Sequence, residues 1–432
     1  MIADRRRRHP SAVEGTILDA VTDRCWPLTA VQREIWLSQQ LDPQNTKYNI
    51  AEYLRISGHI DVPAFRAAVK TRLSEIEVLR TCFIKSSDTE IVQILLPYTE
   101  WQMPFFDYSF EPDADKRAAQ WMAADLSRPL DLTSDALFSF VLFKTGADEF
   151  VFYQKLHHIV MDGHSASVFT QRLCELYNQI LSRSFEPAAF GFLQEILDRD
   201  RKYRASEQYA ADRRFWLDRL DGGAEAVSLG AGSAEPGSSF LRETHVLSAP
   251  EFNALSAVAT GAGASWPQLF IAALAVYLSR ATGEQRVSLG LPVLGRRGAL
   301  ERKIIGSISN VLPLRVHVDP KSSFVDIVKR VAAEVRSTLR HQSYRAEGLI
   351  RELRSIGSGS RLYGPTINVM QFDYNLRFGE AVAKLHNLAH GPVEDLTIAL
   401  YSSPQQEGLR IDFDANPEVY GASEVAEHQR RF

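Results

Sequence analysis

Between residues 138 and 181 the hydrophobic pattern changes its period around one short polar stretch. Residues 138–144 form an apolar run, Thr145-Gly146-Ala147-Asp148 carries turn chemistry, and 150–156 is a second apolar run. The spacing predicts two strands joined as a hairpin. From Phe169 onward, Leu173, Leu176, Tyr177, Ile180 and Leu181 recur at helical spacing, which predicts an amphipathic helix. Between the two lies His157-His158-Ile159-Val160-Met161-Asp162-Gly163-His164-Ser165. The chain therefore passes from sheet to helix at a pair of histidines, a placement suited to presenting a side chain to a substrate.

An imidazole near its ordinary pKa of about 6.5 exchanges protons around neutrality. Asp162 follows His158 by four residues and can turn inward to pair with an arginine and fix the loop. Gly163 allows a sharp turn and close backbone approach to a ligand. The pattern offers one active imidazole, one structural carboxylate and one backbone pivot; a wholly structural histidine pair is the competing reading. A metal is disfavoured, because neighbouring strand residues point to opposite faces and no second His/Cys/Asp cluster has ligand spacing. Gly222-Gly223 lacks the strand and helix context of a phosphate loop. Gly357-Ser358-Gly359 lacks the spacing of a nucleophile elbow.

At 432 residues the chain exceeds what one core usually serves, so two lobes are expected. A net charge of −4 gives no electrostatic case for nucleic acid or an anionic membrane. Cys25, Cys82 and Cys174 are scattered, without disulfide or metal spacing, which fits a reducing cytoplasm. No apolar run is long enough to span a bilayer. Arg5-Arg6-Arg7-Arg8 is followed by no apolar stretch, so it is no secretory signal. Residues 1–25 read as a leader or docking segment with a short helix over 11–21.

Thr29 is placed to cap a helix, residues 48–56 read as a strand, and Asp61-Val62-Pro63 opens a helix burying Phe65, Ala68, Val69, Leu73 and Ile76. Residues 206–220 read as helix, and 221–239, rich in Gly, Ala and Ser, as linker. The second half alternates. Helices are predicted from Ser265 and along Phe324, Ile327, Val328, Val331 and Val335, and strands near 287–291, 312–318, 366–372, 396–401 and 409–413. The fold class is α/β, with an N-terminal lobe over 26–190 carrying the histidines and a linker and C-terminal lobe over 191–432. Residues 422–432 read as a helix that stops early, as if cut from a longer chain.

His157-His158-Ile159-Val160-Met161-Asp162-Gly163 resembles the HHxxxDG signature of nonribosomal peptide synthetase condensation domains and the wider acyltransferase superfamily that shares it. Other stretches resemble that family's motifs, in its order. They are Leu28-Thr29-Ala30-Val31-Gln32-Arg33-Glu34-Ile35-Trp36, Leu79-Arg80-Thr81-Cys82-Phe83, Pro292-Val293-Leu294-Gly295-Arg296 and Ser309-Asn310-Val311-Leu312-Pro313-Leu314. The resemblance implies two chloramphenicol-acetyltransferase-like lobes forming a V-shaped pseudo-dimer with a central tunnel. It implies amide formation between a donor acyl thioester and an acceptor aminoacyl thioester. Both would be held on phosphopantetheine arms of a donor acyl or aryl carrier protein and an acceptor peptidyl carrier protein. No cofactor is bound by the domain itself, an adenylation domain is the expected neighbour, and neither nucleic acid nor membrane is a partner.

Carried over by position, His158 is the catalytic residue and the Gly163 N–H a donor to the oxyanion. His157 and Asp162 are structural, with Asp162 paired to Arg296, and Ser309 and Asn310 line the substrate channel. One departure concerns the donor. Most amino-acid-condensing members read Arg-His-Glu ahead of the Leu-Arg-Thr, whereas this chain reads Glu75-Ile76-Glu77. Further stretches resemble the condensation domains of catechol siderophore synthetases, enzymes of secondary metabolism. They are Arg340-His341-Gln342-Ser343-Tyr344-Arg345-Ala346-Glu347, Tyr363-Gly364-Pro365-Thr366-Ile367-Asn368-Val369, Phe372-Asp373-Tyr374 and Gly391-Pro392-Val393-Glu394-Asp395-Leu396. The implied donor is an aryl or other non-amino-acid acyl group, part of this pattern being shared with lipid-accepting starter domains. A start at Met1 would suit a first-module domain. Two alternatives stand beside this: a freestanding acyltransferase on a small amine or alcohol, and a non-catalytic recruitment domain of the same fold. The intact His158, Asp162 and Gly163 argue against the second.

Overall fold

The computed structural model describes residues 24–86, 90–184, 186, 193–220, 226–231, 236–237, 239–355, 361–370, 376–402 and 408–432. The arginine run, the short helix expected over 11–21 and much of the expected linker lie outside the described residues. By contact the chain divides into two compact units. One comprises Met1–Asp200, Arg296–Ile308 and Tyr374–Gly391; the other comprises Arg201–Gly295, Ser309–Asp373 and Pro392–Phe432. Each unit is thus discontinuous. Arg296–Ile308 and Tyr374–Gly391, which a single division at residue 190 assigns to the C-terminal lobe, pack with the first unit.

In the first unit local chemistry sets the helix starts. The Thr29 hydroxyl accepts the Gln32 N–H at 3.3 Å and the Gln32 side chain accepts the Thr29 N–H at 3.0 Å. This reciprocal cap opens the helix Ala30–Leu41. Asp61 accepts the Ala64 N–H at 2.9 Å and opens Val62–Glu75. The face of that helix, Phe65, Ala68, Val69 and Leu73, is buried, as is Ile76 just beyond it.

The unit's main sheet runs, in spatial order, Arg377–Phe378, Ala381–Ala389, Asn49–Ser57, Glu149–His157, Phe138–Lys144, Phe105–Asp107. Only the last pair is parallel. The helices Val62–Glu75 and Gly163–Ser182 cover one face: Phe65 meets Phe152 edge-on at 4.9 Å and Phe140 stacks on Phe169 at 4.9 Å. The helix Ala114–Leu126 covers the other, where Trp121 packs against Phe143 and Tyr153. A small sheet of Cys25–Pro27, Ile91–Leu95 and Thr81–Lys85 completes the unit.

The pair Arg377–Phe378 and Ala381–Ala389 comes from late in the chain, and the reading of local pattern missed it. It pairs with Asn49–Ser57 from Val382 opposite Ser57 to Ala389 opposite Ala51, with a register shift between Asn387 and Ala389. Asn178, on the helix Gly163–Ser182, clamps its turn. The side-chain amide donates to the Arg377 carbonyl at 3.0 Å and accepts the Gly379 N–H at 2.6 Å.

The second unit is built on a sheet ordered Asn310–His317, Arg286–Val293, Thr366–Met370, Leu396–Tyr401, Leu409–Ala415, Leu241–Leu247. Thr366–Met370 is parallel to both of its neighbours and the other pairs are antiparallel. The helices Trp266–Thr282 and Phe324–Arg340 pack their apolar faces into its core. Where the expected linker is described, it is fastened. Ser228 donates to the Asp395 carboxylate at 2.9 Å, the Tyr420 hydroxyl donates to the same oxygen at 2.6 Å, and the Gly230 N–H reaches that hydroxyl at 3.1 Å. Among the described residues no single helix is long and apolar enough to cross a membrane.

Candidate active site

The strand Glu149–His157 pairs with Asn49–Ser57 up to the match of His157 with Asn49. The backbone then leaves the sheet. The His158 N–H donates to the Tyr48 carbonyl at 2.8 Å, and the Val160 N–H turns back to the His157 carbonyl at 3.1 Å. Ile159, Val160 and Met161 are fully buried, so this apolar triplet anchors the corner in the core. The helix Gly163–Ser182 starts immediately afterwards, capped by Asp162, whose Oδ1 accepts the Ser165 N–H at 2.9 Å.

The two histidines have different surroundings. His157 is buried, and its Nδ1 accepts the Ile159 N–H at 3.2 Å, which places the ring proton on Nε2. Burial, with His158 and Lys155 nearby, pushes its pKa down to about 3. It is therefore a neutral, fixed element of the turn. His158 is half-buried.

Asp162 lies at the centre of a buried network. Arg296 Nη1 donates to Oδ2 at 2.8 Å and Nη2 to Oδ1 at 3.2 Å, while the Ile308 N–H reaches Oδ2 at 3.0 Å. Burial by itself would raise the carboxyl's pKa. The Arg296 charge and these hydrogen bonds outweigh it and hold Asp162 well below the usual carboxylate range. Arg296 also donates to the Ile304 carbonyl at 3.3 Å, the Gly306 carbonyl at 3.1 Å and the Ser165 hydroxyl at 2.9 Å. The ion pair thus ties the start of the helix to the segment Arg296–Ile308.

Ser165 was part of the motif stretch but received no role from sequence. Its hydroxyl donates to the Gly306 carbonyl at 2.9 Å and accepts the Gly306 N–H at 3.0 Å. Gly306 permits that approach, since a Cβ there would fall 2.4 Å from Ile196 Cδ1. His164 also points at this segment, with Nε2 2.9 Å from the Arg302 carbonyl; burial lowers its pKa. Nothing local to Ser165 announces these contacts, because their partners lie more than a hundred residues away. The sequence reading also passed over Glu52, beneath the motif helix. Its carboxyl lies 3.4 Å from both the Thr170 hydroxyl and Gln154 Nε2, and burial pushes its pKa up to about 7.

The first unit therefore brings together His157, His158, Asp162, Gly163 and Arg296. Gly163 is the first residue of its helix and exposed, so its N–H is among those that a helix leaves without an intrahelical acceptor, at the positive end. Ser309 and Asn310 belong to the second unit. The Asn310 side chain is buried and directed at backbone: Nδ2 donates to the Gln342 and Tyr344 carbonyls at 3.2 and 2.7 Å, and Oδ1 accepts the Ala346 N–H at 3.3 Å. These bonds pin the turn between two helices, and the Ser309 carbonyl accepts Arg345 Nη1 at 2.7 Å. His157 is thus neutral and turned inward, the Asp162 charge is held by Arg296, and His158 is the half-buried imidazole of the pair.

A strand-to-helix corner of this kind, His-His-x-x-x-Asp-Gly with the aspartate locked to a distant arginine, defines an acyltransferase of the HHxxxDG class. The Condensation domain family matches residues 23–432. The chain belongs to that family, the amide-forming condensation domains of nonribosomal peptide synthetases. A dimodular nonribosomal peptide synthase of Bacillus subtilis (strain 168) is 42% identical over 410 residues, covering 95% of this chain and 17% of the relative. An isonitrile lipopeptide synthase of Streptomyces coeruleorubidus is 35% identical over 418 residues, covering 96% of this chain and 28% of the relative. The chain thus spans less than a third of these synthetases. The crystal structure of a starter condensation domain of rhizomide synthetase, in complex with C8-CoA and Leu-SNAC, matches with a TM-score of 0.89. The identity is 38%, over 96% of this chain and 95% of that one.

Proposed function

We propose that this domain joins a non-amino-acid acyl group, aryl or fatty, to the amine of an aminoacyl thioester, with both substrates delivered on phosphopantetheine arms of carrier proteins. The observation that carries this reading is the contrast within the motif: His157 is turned into the core and Asp162 is fixed by Arg296, whereas His158, at the same corner, is only half-buried. In the reaction the acceptor's neutral amine nitrogen attacks the donor carbonyl carbon. The C–N bond forms as His158 takes the nitrogen's proton. The Gly163 N–H donates to the oxyanion. Collapse breaks the C–S bond, and the donor's thiolate leaves with the proton that His158 returns. Holding both thioesters at one imidazole supplies rate by proximity.

The donor assignment rests on Glu75-Ile76-Glu77. Ile76, which stands where most amino-acid-condensing members carry histidine, is a buried core residue. Glu75 is held by Arg72 at 2.9 Å and Arg172 at 3.0 Å. The rhizomide synthetase domain was captured with C8-CoA and Leu-SNAC, and an acyl donor beside an aminoacyl acceptor is the pairing proposed here. An acyl or aryl carrier protein, a peptidyl carrier protein and a neighbouring adenylation domain are the proposed partners. The cysteines Cys25, Cys82 and Cys174 are free thiols, in keeping with a cytoplasmic setting. The test is reconstitution with carriers verified as loaded, offering aryl, fatty-acyl and aminoacyl donors against a panel of aminoacyl acceptors. Faster amide formation from an aryl or fatty-acyl donor supports the reading, and preference for an aminoacyl donor refutes the donor assignment.

A further inference from the structure

The strand Ala381–Ala389 ends beside the same sheet edge from which His158 emerges. Ala389 pairs with Ala51, two residues along the strand from Asn49, the partner of His157. Two residues further on, Gly391 adopts a φ of +115°, in the region that disfavours side chains. A Cβ built there would lie 3.3 Å from His158 Cδ2 and 3.8 Å from His158 Nε2. The nearest atoms are thus the Nε2 edge of the imidazole, the edge that must meet the acceptor amine. The other end of the residue is fixed by the His158 N–H bond to Tyr48. With its backbone pinned, the residue can respond to a group at position 391 only by turning its ring about the side-chain torsions.

We infer that Gly391 is a positioning residue for amide formation. Its bare backbone is the wall against which the His158 ring rests, and the missing side chain leaves the Nε2 edge open to the acceptor amine. The inference deepens the reading of His158 as the reacting imidazole and rests on it. A methyl group at position 391 presses on Cδ2, swings the ring and narrows the approach to Nε2. Small displacements of a reacting group cost rate far more than affinity. The expected effect of Gly391→Ala is therefore a kcat lower by about 10- to 100-fold, with KM for either loaded carrier within about twofold of wild type.

Gly379 provides the control. It lies in the turn of the same hairpin, also has a positive φ (+62°), and its Cβ would meet Leu181 Cδ1 at 3.4 Å and Tyr177 Cε1 at 4.0 Å, away from His158. The experiment uses the intact domain with loaded carriers and compares wild type, Gly391→Ala, Gly379→Ala, His158→Ala and the His158→Ala/Gly391→Ala double variant. Thermal unfolding and amide synthesis are measured on each. Two results are expected. Gly391→Ala lowers kcat well beyond Gly379→Ala. It also lowers Tm less in the His158→Ala background than in wild type, because the methyl then enters space the ring has vacated. If Gly391→Ala folds only in the His158→Ala background, the inference is supported equally. A folded Gly391→Ala with wild-type kcat overturns it, as does an equal Tm penalty, or failure to fold, in both backgrounds. A wild-type domain making no amide refutes the function instead and leaves the unfolding comparison readable.

Discussion

Replacing Asp162 by asparagine separates the two roles of that side chain. Asparagine caps a helix about as well as aspartate, so its carbonyl oxygen can still accept the Ser165 N–H. What is lost is the charge. In the wild-type protein Oδ2 accepts both Arg296 Nη1 at 2.8 Å and the Ile308 N–H at 3.0 Å. In the variant an NH2 group faces those two donors, and the buried guanidinium loses its charged partner while its bonds to the Ile304 and Gly306 carbonyls, the Ser165 hydroxyl and the oxygen in the Oδ1 place remain. Breaking one side of a buried ion pair costs about 3–5 kcal/mol. For a unit of this size that corresponds to a Tm lower by roughly 6–20 °C. Urea titration followed by tryptophan fluorescence, at several pH values, measures it. The folded carboxyl stays ionised well below the usual range, so the pair contributes fully above the unfolded carboxyl's pKa and is lost only as pH falls below it. The difference between wild type and variant is therefore flat from pH 8 to about pH 5. The Asp162→Asn/Arg296→Met double variant should cost less than the sum of its singles by at least about 1 kcal/mol. Strictly additive singles, or an Asp162→Asn curve within about 0.5 kcal/mol of wild type, would refute the structural ion pair.

Two further titrations carry opposite signs. His157 is held neutral down to a pKa of about 3, whereas in the unfolded chain it takes up a proton near pH 6.5, so its contribution is complete above 6.5 and declines as pH falls. His157→Gln should remove a slope of up to about 1.4 kcal/mol per pH unit from the acid limb of a stability–pH curve; an unchanged limb would show that this ring is not held neutral. Glu52 behaves in reverse. With its pKa pushed up to about 7, the folded protein retains a proton that the unfolded chain releases near pH 4.5, so stability falls as pH rises through that interval. Glu52→Gln should be more stable than wild type at pH 8 by on the order of 1–2 kcal/mol, and a less stable variant at that pH would contradict the assignment.

The parts of the fold legible in the sequence are those in which neighbouring residues settle the matter. Thr29 with Gln32, and Asp61 followed by Pro63, mark helix starts within four residues. The apolar runs through Phe138–Lys144 and Glu149–His157 carry their turn between them. The corner between sheet and helix was legible for the same reason. What escaped depends on pairing across long separations. The hairpin at Arg377–Ala389 alternates in burial only from Ala381 to Lys384 and takes meaning only from Asn49–Ser57, over three hundred residues earlier. Gly391 was readable as part of a motif, but its closeness to His158 arises only when that late strand joins the first unit. Ser165 and Gly306 meet through a segment contributed from the middle of the chain. The Asn310 amide likewise depends on residues more than thirty positions away, the Gln342 and Tyr344 carbonyls and the Ala346 N–H, where it pins a turn of the second unit.

The proposed role of His158 is to carry the proton in amide formation while its neighbours hold it in place. It is tested most directly by single-turnover reaction of acyl-loaded donor carrier with aminoacyl-loaded acceptor carrier, comparing wild type with His158→Ala. Because His158 is only half-buried, the variant should unfold within a few degrees of wild type. Its amide formation should be slower by about 100-fold or more, as expected for loss of a positioned base. A folded His158→Ala domain that makes amide at the wild-type rate would contradict the account.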